Sequence, residues 1–272
     1  MNETREKLIN IIKLNNLSIK EISNKSGLSP TTIKDFLREE NDEKFQNLGC
    51  IGYSKIKKLF NDYNEDINLW DCDFKKTYGH GICDISGVEN GKQMKYYETW
   101  KGMLRRCYSN KFHKKEPTYK NCEVCEEWLL FSNFKKWYKD NYYQIDNDTM
   151  ALDKDILNKG NKVYNPNDCV FVNQVINNLF TKSNKIRGNL PIGVKQYNNN
   201  SNKFKVVLSF YDFDKRHKSR ISLGVYNTSS EAFNVYKKAK EDNIKRVADY
   251  YKSQIPIKLY NAMYNYKVEI TD

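Results

Sequence analysis

Leu152-Asp-Lys-Asp-Ile156, followed by Asn165-Pro-Asn-Asp-Cys-Val-Phe-Val172 and then Asn177-Asn178, is the stretch whose reading decides the fold. Short runs rich in Leu, Ile, Val and Phe, broken by Asn-Pro and Asp, predict a strand, a turn, a second strand and a helix. The first strand carries Asp153, and the helix carries the paired asparagines. A strand carboxylate beside a helix carboxamide offers oxygen donors of the kind that hold a divalent cation. A histidine after the acidic residue would add a proton acceptor, but Lys154 stands there instead.

The 272 residues around this stretch suffice for two or three small domains. A formal net charge of +12 favours an acidic polymer as partner, because clustered Lys and Arg gain free energy by releasing phosphate counterions. The 20 tyrosines and 13 phenylalanines interleave with these cations. They can stack on bases, although most fit equally well as ordinary core-to-surface residues. A mean hydropathy of −0.83 and the lack of a long apolar run argue against a membrane span. No apolar segment follows Met1-Asn-Glu-Thr-Arg5, so a cytoplasmic location is expected, with seven cysteines as free thiols or metal ligands.

Towards the N-terminus, Leu8, Ile11, Ile12 and Leu14 recur at near-helical spacing. Ser18 is placed to cap a second helix containing Ile19, Ile22 and Ser23, which stops at Gly27. Ser29-Pro30 opens a third, with Pro at the first helical position and Ile33, Phe36 and Leu37 turned inward. Two short helices joined by a tight turn at Gly27, the second beginning Ser29-Pro-Thr-Thr-Ile-Lys34, resemble the helix-turn-helix of the Cro/C1 repressor type. The resemblance implies that Ser29, Thr31, Thr32, Lys34 and Asp35 face a DNA major groove. The alternative is a helical bundle without a DNA role. A further helix near 53–62 closes a domain over 1–64, and the polar stretch at 65–77 reads as a linker that Trp70 docks.

The central segment spans 78–184. Gly79, Gly81 and Gly87 mark loops or a short hairpin. Helices are expected over 97–108, with Trp100, Met103, Leu104 and Cys107 on one face, and over 131–138. Trp100…Met103-Leu-Arg-Arg-Cys-Tyr108, Val124-Cys-Glu-Glu-Trp128, Phe134, Leu152-Asp153, Tyr164-Asn-Pro-Asn-Asp-Cys169 and the Asn177 helix together resemble the HNH-type homing endonucleases and related HNH proteins of bacteriophages. In that family a first-strand Asp-His pair supplies a metal ligand and the general base. A middle Asn steadies the loop, and a His or Asn on the helix completes the metal site.

The resemblance therefore implies magnesium or manganese held by Asp153 and Asn177 (or Asn178), with Asn165 or Asn167 as the loop residue. It also implies phosphodiester hydrolysis, the metal polarising the phosphate and stabilising the leaving oxygen. Lys154 occupies the base position. A protonated lysine cannot take a proton at neutral pH unless its pKa is lowered, and it repels the cation that Asp153 should hold; Asp155 compensates in part. Of the three histidines, His80 and His113 are candidates to reach the site from elsewhere, whereas His217 lies in the next segment. An active nuclease and an inactive DNA-docking descendant both stay open.

Cys107, Cys122, Cys125 and Cys169 fall in the same segment. Cys122-x-x-Cys125 has the spacing of one zinc knuckle, and two more thiols would complete a structural zinc site. The second pair lacks tight spacing, and buried small apolar cysteines are the other reading.

Beyond a polar link at 181–189, three strand-like runs occupy 192–197, 203–210 and 219–225, with a turn signal over 198–202. Thr228 and Glu231 then have capping-box spacing for a long helix in which Ala232, Val235, Tyr236, Ala239, Ile244 and Val247 pack on the sheet. Gly193-Val194, Leu223-Gly224-Val225-Tyr226 and the Glu231-Ala232 helix resemble the Apetala/ethylene-response DNA-binding domain, whose three-stranded sheet enters the major groove. The resemblance implies phosphate or base contacts from Lys195, Tyr197, Lys203, Lys205, Lys218 and Arg220. Solvated charges on a sheet backed by a helix are the plainer alternative.

The chain is thus expected to be α+β: a helix-turn-helix domain, a ββα-metal domain and, over 190–272, a three-stranded sheet packed on a helix with a C-terminal extension. Its expected function is sequence-specific binding of double-stranded DNA by a protein of phage or mobile-element origin, in the cytoplasm of a bacterial host, with metal-dependent nicking as the enzymatic reading. A catalytically inactive transcription regulator is one alternative. Another is a phage inhibitor of a host defence complex, its helix-turn-helix autoregulatory. Helix-turn-helix proteins of this type often act as homodimers, and the sequence carries no clear dimerisation stripe.

Overall fold

The computed structural model describes residues 2–181, 190–198, 202–270 and 272. The polar link at 181–189 and the turn at 198–202 lie mostly outside these residues. The chain is α+β and divides into two compact units: Met1–Asp140 with Lys162–Pro166, and Asn141–Asn161 with Asn167–Asp272.

The first unit begins with α1 (Glu3–Leu14), α2 (Ile19–Ser26), α3 (Pro30–Leu37) and α4 (Cys50–Asn61). Ser18 and Glu21 form a reciprocal capping box that satisfies two orphan N–H groups of α2. Gly27 ends α2 in the left-handed region (φ 67°), which favours glycine, and Ser29 caps α3. Leu8, Ile22, Ile33, Phe36, Ile56 and Phe60 form the core of these helices. Ile67 joins them, and Lys57 donates to its carbonyl at 2.7 Å, so the start of the expected linker packs back on the helices.

The same unit continues through a hairpin of β1 (Val88–Glu89) and β2 (Lys92–Gln93), then α5 (Lys95–Tyr108), α6 (Asn110–Lys115) and a 3-10 turn at Pro117–Tyr119. β3 (Glu123–Val124), α7 (Glu126–Leu129) and α8 (Phe131–Asn141) follow. Trp100 of α5 is fully buried; its Nε1 donates to the Trp128 carbonyl at 2.7 Å, and its ring meets Phe131. The chain then forms β4 (Met150–Asp153) in the second unit and returns for β5 (Val163–Tyr164), which pairs parallel to β3.

In the second unit β4 pairs antiparallel with β6 (Val170–Asn173), Asp153 opposite Val170, and α9 (Gln174–Phe180) follows directly. Next come β7 (Val194–Gln196), β8 (Phe204–Asp212) and β9 (His217–Tyr226), an antiparallel sheet in that order with an irregularity at Val206/Val207. α10 (Ser229–Tyr251), capped by Thr228 with Glu231, lies on one face of this sheet, and α11 (Ile257–Tyr264) packs on α10. Ile156, Val172 and Ile176 share one apolar core with Val206, Leu208, Ile244, Val247, Leu259 and Met263. The β4–β6–α9 element and the three-stranded sheet therefore rest on the same core.

Lys159, in the loop after β4, ties the last residues of the chain to this core. Its Nζ lies 2.8 Å from Asp272 Oδ2 and 3.2 Å from Glu269 Oε2, donates to the Lys267 carbonyl, and stands over the Tyr266 ring. Lys159→Met removes all of these and leaves the buried Asp272 carboxylate poorly compensated. A loss of about 2 kcal/mol is expected in chemical denaturation. No described helix is long and apolar enough to cross a membrane.

Candidate nucleic-acid interface

Register fixes what the three-stranded sheet presents. Val194 opposite Val206, and Leu208 two residues on, are buried on the α10 side. Side chains alternate along a strand, so the opposite face receives Lys195 opposite Lys205, Ser209 opposite Arg220, and Tyr211 opposite Lys218. Just past the strand ends, Tyr197 donates its N–H to the Lys203 carbonyl, and the same alternation turns Tyr197 and Lys203 outward. The structure thus gathers Lys195, Tyr197, Lys203, Lys205, Lys218 and Arg220 on one face.

The electrostatics of that face are unfavourable for an isolated protein. Lys195, Lys205, Lys218 and Arg220 have no ion-pair partner among the described residues. Like charges directly opposite across strands destabilise a sheet by a few tenths of a kcal/mol or more, and a polyanion relieves that cost. On α10, burial and then repulsion from Lys218 push the Lys240 pKa down to about 8, with Asp272 opposing.

On α3, Ser29, Thr31, Thr32 and Lys34 are exposed, and Asp35 is half-buried. The Ser29 and Thr32 hydroxyls lie 2.8 Å apart, and Ser29 Oγ accepts the Thr32 N–H. Part of this polar surface is therefore engaged in capping the helix. Residues 1–73 hold 11 Lys and Arg against 13 Asp and Glu, so the helical module itself contributes no net positive charge.

Asp153 ends β4, and its Oδ1 accepts the backbone N–H groups of Asp155 (2.9 Å) and Ile156 (2.8 Å), which closes the turn. Lys154 is only 7 % exposed. Its Nζ donates to Asp155 Oδ2 at 3.2 Å and to the Asn161 carbonyl at 3.0 Å, while Asn161 Nδ2 donates to the Lys154 carbonyl. An amino group placed against a carboxylate and a carbonyl is a donor there, and it fastens the 154–161 loop. It also sets a cation against the second carboxylate that a divalent metal beside Asp153 would need. These residues fit such a metal poorly.

Burial, followed by the neighbouring Asp155 charge, pushes the Asp153 carboxyl up to about 6, against the two N–H donors and Lys154. The folded chain thus holds this proton more tightly than the unfolded chain. Its contribution to stability is greatest below the ordinary carboxylate pKa near 4 and is lost as pH rises through about 6. Asp153→Asn keeps an acceptor for both N–H groups and removes the charge. Since part of the side chain meets solvent, a gain of about 1–2 kcal/mol is expected at pH 7.5 and almost none at pH 4. Paired urea titrations at the two pH values measure this difference.

Asn177 of α9 is half-exposed, and its carbonyl accepts the Thr181 hydroxyl at 3.2 Å. Asn178 is exposed, and its Oδ1 accepts from Gln174. The unit boundary passes through the Asn-Pro-Asn stretch, leaving Asn165 in the first unit and Asn167 in the second. His80 stacks on Tyr108, and the His113 ring bonds the Arg106 carbonyl at 2.8 Å, both within the first unit. Among the described residues, no three or more His, Cys, Asp or Glu side chains gather as metal ligands do. Cys107, Cys122 and Cys169 are buried; Cys125 precedes α7, and burial raises its thiol pKa.

Asn173 was the residue hidden in the sequence. Fully buried, it caps α9 by accepting the Ile176 N–H at 3.0 Å and donates to Asp148 Oδ2 at 2.7 Å. Its place between a strand and Gln174 is an N-cap signal. No protein family, curated protein or solved structure matches this chain.

Proposed function

We propose that this protein binds double-stranded DNA, with the outward face of β7, β8 and β9 as its principal contact and the exposed residues of α3 as a second reading surface. The observation that carries this is the single basic face. Register alone collects six polar, aromatic and cationic side chains there, and four of the cations have no ion-pair partner among the described residues. Such a surface gains by displacing phosphate counterions, and its Arg, Ser and Tyr side chains can address base edges. A solvated face of scattered charge would intersperse both signs, and this one does not.

Selection from a pool of random duplexes, carried out in chelator with the full chain, tests the proposal. Enrichment of one sequence is the expected result; failure to retain any duplex contradicts it. Phosphodiester cleavage is a separate reading, carried by Asp153 and its resemblance to a nuclease ligand. Plasmid nicking in magnesium or manganese that disappears in Asp153→Ala would support it. The donor role of Lys154 predicts binding without nicking.

A further inference from the structure

The first unit carries a second concentration of positive charge, distant in sequence from α3. Residues 95–120 hold eight Lys and Arg against two acidic residues. Lys111, Lys114 and Lys115 of α6 are exposed and occupy positions i, i+3 and i+4, so they share one helix face. Exposed Arg105 and Lys120 come from the elements before and after α6. None of these five has an ion-pair partner among the described residues.

Like charges at these spacings weaken a helix, and six residues are too few to be helical by propensity alone. The fold supplies the missing stabilisation from the other side of α6. Ser109 Oγ accepts the Phe112 N–H, and the Phe112 ring lies between the Arg105 guanidinium (5.3 Å) and Tyr119 (5.6 Å). The His113 ring is held by the Arg106 carbonyl. Phe112 and His113 thus fasten the helix to α5 and the 3-10 turn while three lysines point to solvent.

We infer that α6 is a phosphate-backbone clamp: a sequence-independent contact with double-stranded DNA that gives the first unit the electrostatic attraction its helical module lacks. The inference rests on the proposal that the protein binds duplex DNA. Four of the five cations are lysines, three of them on one face of α6, and lysines are compact point charges suited to phosphate oxygens, whereas an acidic protein partner would call for apolar anchors that this patch does not expose.

The test titrates the full chain against a labelled duplex over a range of salt. Lys111→Gln, Lys114→Gln and Lys115→Gln are combined, and Lys→Arg at the same three positions serves as the charge-retaining control. Each phosphate contact contributes about 0.9 to the slope of log K against log salt. The Gln variant should therefore lose roughly 2–3 from the slope and bind at least about tenfold more weakly at moderate salt. The Arg variant should keep the wild-type slope. A Gln variant with the wild-type slope, in a chain that still binds duplex, overturns this inference alone. A wild-type chain that binds no duplex overturns the proposal beneath it as well. Thermal unfolding of the Gln variant should match or exceed wild type, because a like-charge cluster has been removed.

Discussion

Replacing Lys195, Lys205 and Arg220 together by glutamate is expected to weaken duplex binding by roughly 100-fold or more at moderate salt. The three lie on one face of the sheet, two of them directly opposite each other. The substitution removes about three phosphate contacts and adds repulsion in their place, so the salt dependence should flatten by about 2–3 in log–log slope. Fold should survive, because the side chains point away from α10 and the buried partners Val194, Val206 and Leu208 are untouched. The neutral triple Gln variant separates loss of attraction from added repulsion and should fall between the two. Fluorescence anisotropy across salt concentrations reads both quantities. Equal affinities for all three proteins would remove the sheet from the account.

Gly193→Ala is expected to have the largest effect on stability of any single small substitution in the sheet. Gly193 has φ 75°, in the left-handed region, and a Cβ there would lie 2.0 Å from Cδ2 of Tyr236. The Gly193 carbonyl also accepts the Val207 N–H, so the residue cannot move without disturbing the start of the β7–β8 pairing. Backbone strain of about 1 kcal/mol and overpacking of about 2 kcal/mol predict a loss near 3 kcal/mol. Adding Tyr236→Leu should recover the steric part and leave the backbone part. A Gly193→Ala protein as stable as wild type in urea would contradict this packing. Because β7 carries Lys195, the same variant should also bind duplex less tightly, linking the fold to the interface.

Local signals in the sequence were legible where one element decides its own geometry. Ser18, Gly27, Ser29-Pro30 and Thr228 with Glu231 announced helix ends that the structure places at those residues. Three strand-like runs followed by a capped helix announced a sheet backed by a helix, and α10 covers the side of the sheet that carries Val194 and Val206. What was not legible is non-local. Nothing in Ile156 or Val172 alone says that they share a core with Val206 and Ile244. Lys154 reads as an obstacle to chemistry until Asp155 and the Asn161 carbonyl are seen as its partners. The weight of Lys111, Lys114 and Lys115 depends on contacts made beneath them by Phe112 and His113, which no local pattern announces.

The central claim is that a basic sheet face attracts the DNA backbone, and the most direct measurement is the affinity of the full chain for a labelled duplex as salt rises from about 50 to 300 mM. With about four to seven phosphates neutralised, the log–log slope should lie between roughly −4 and −6. Binding with that slope, in chelator, is the predicted result. A chain at about 10 μM that leaves the duplex free at the lowest salt, where even non-specific binders associate, would contradict the account.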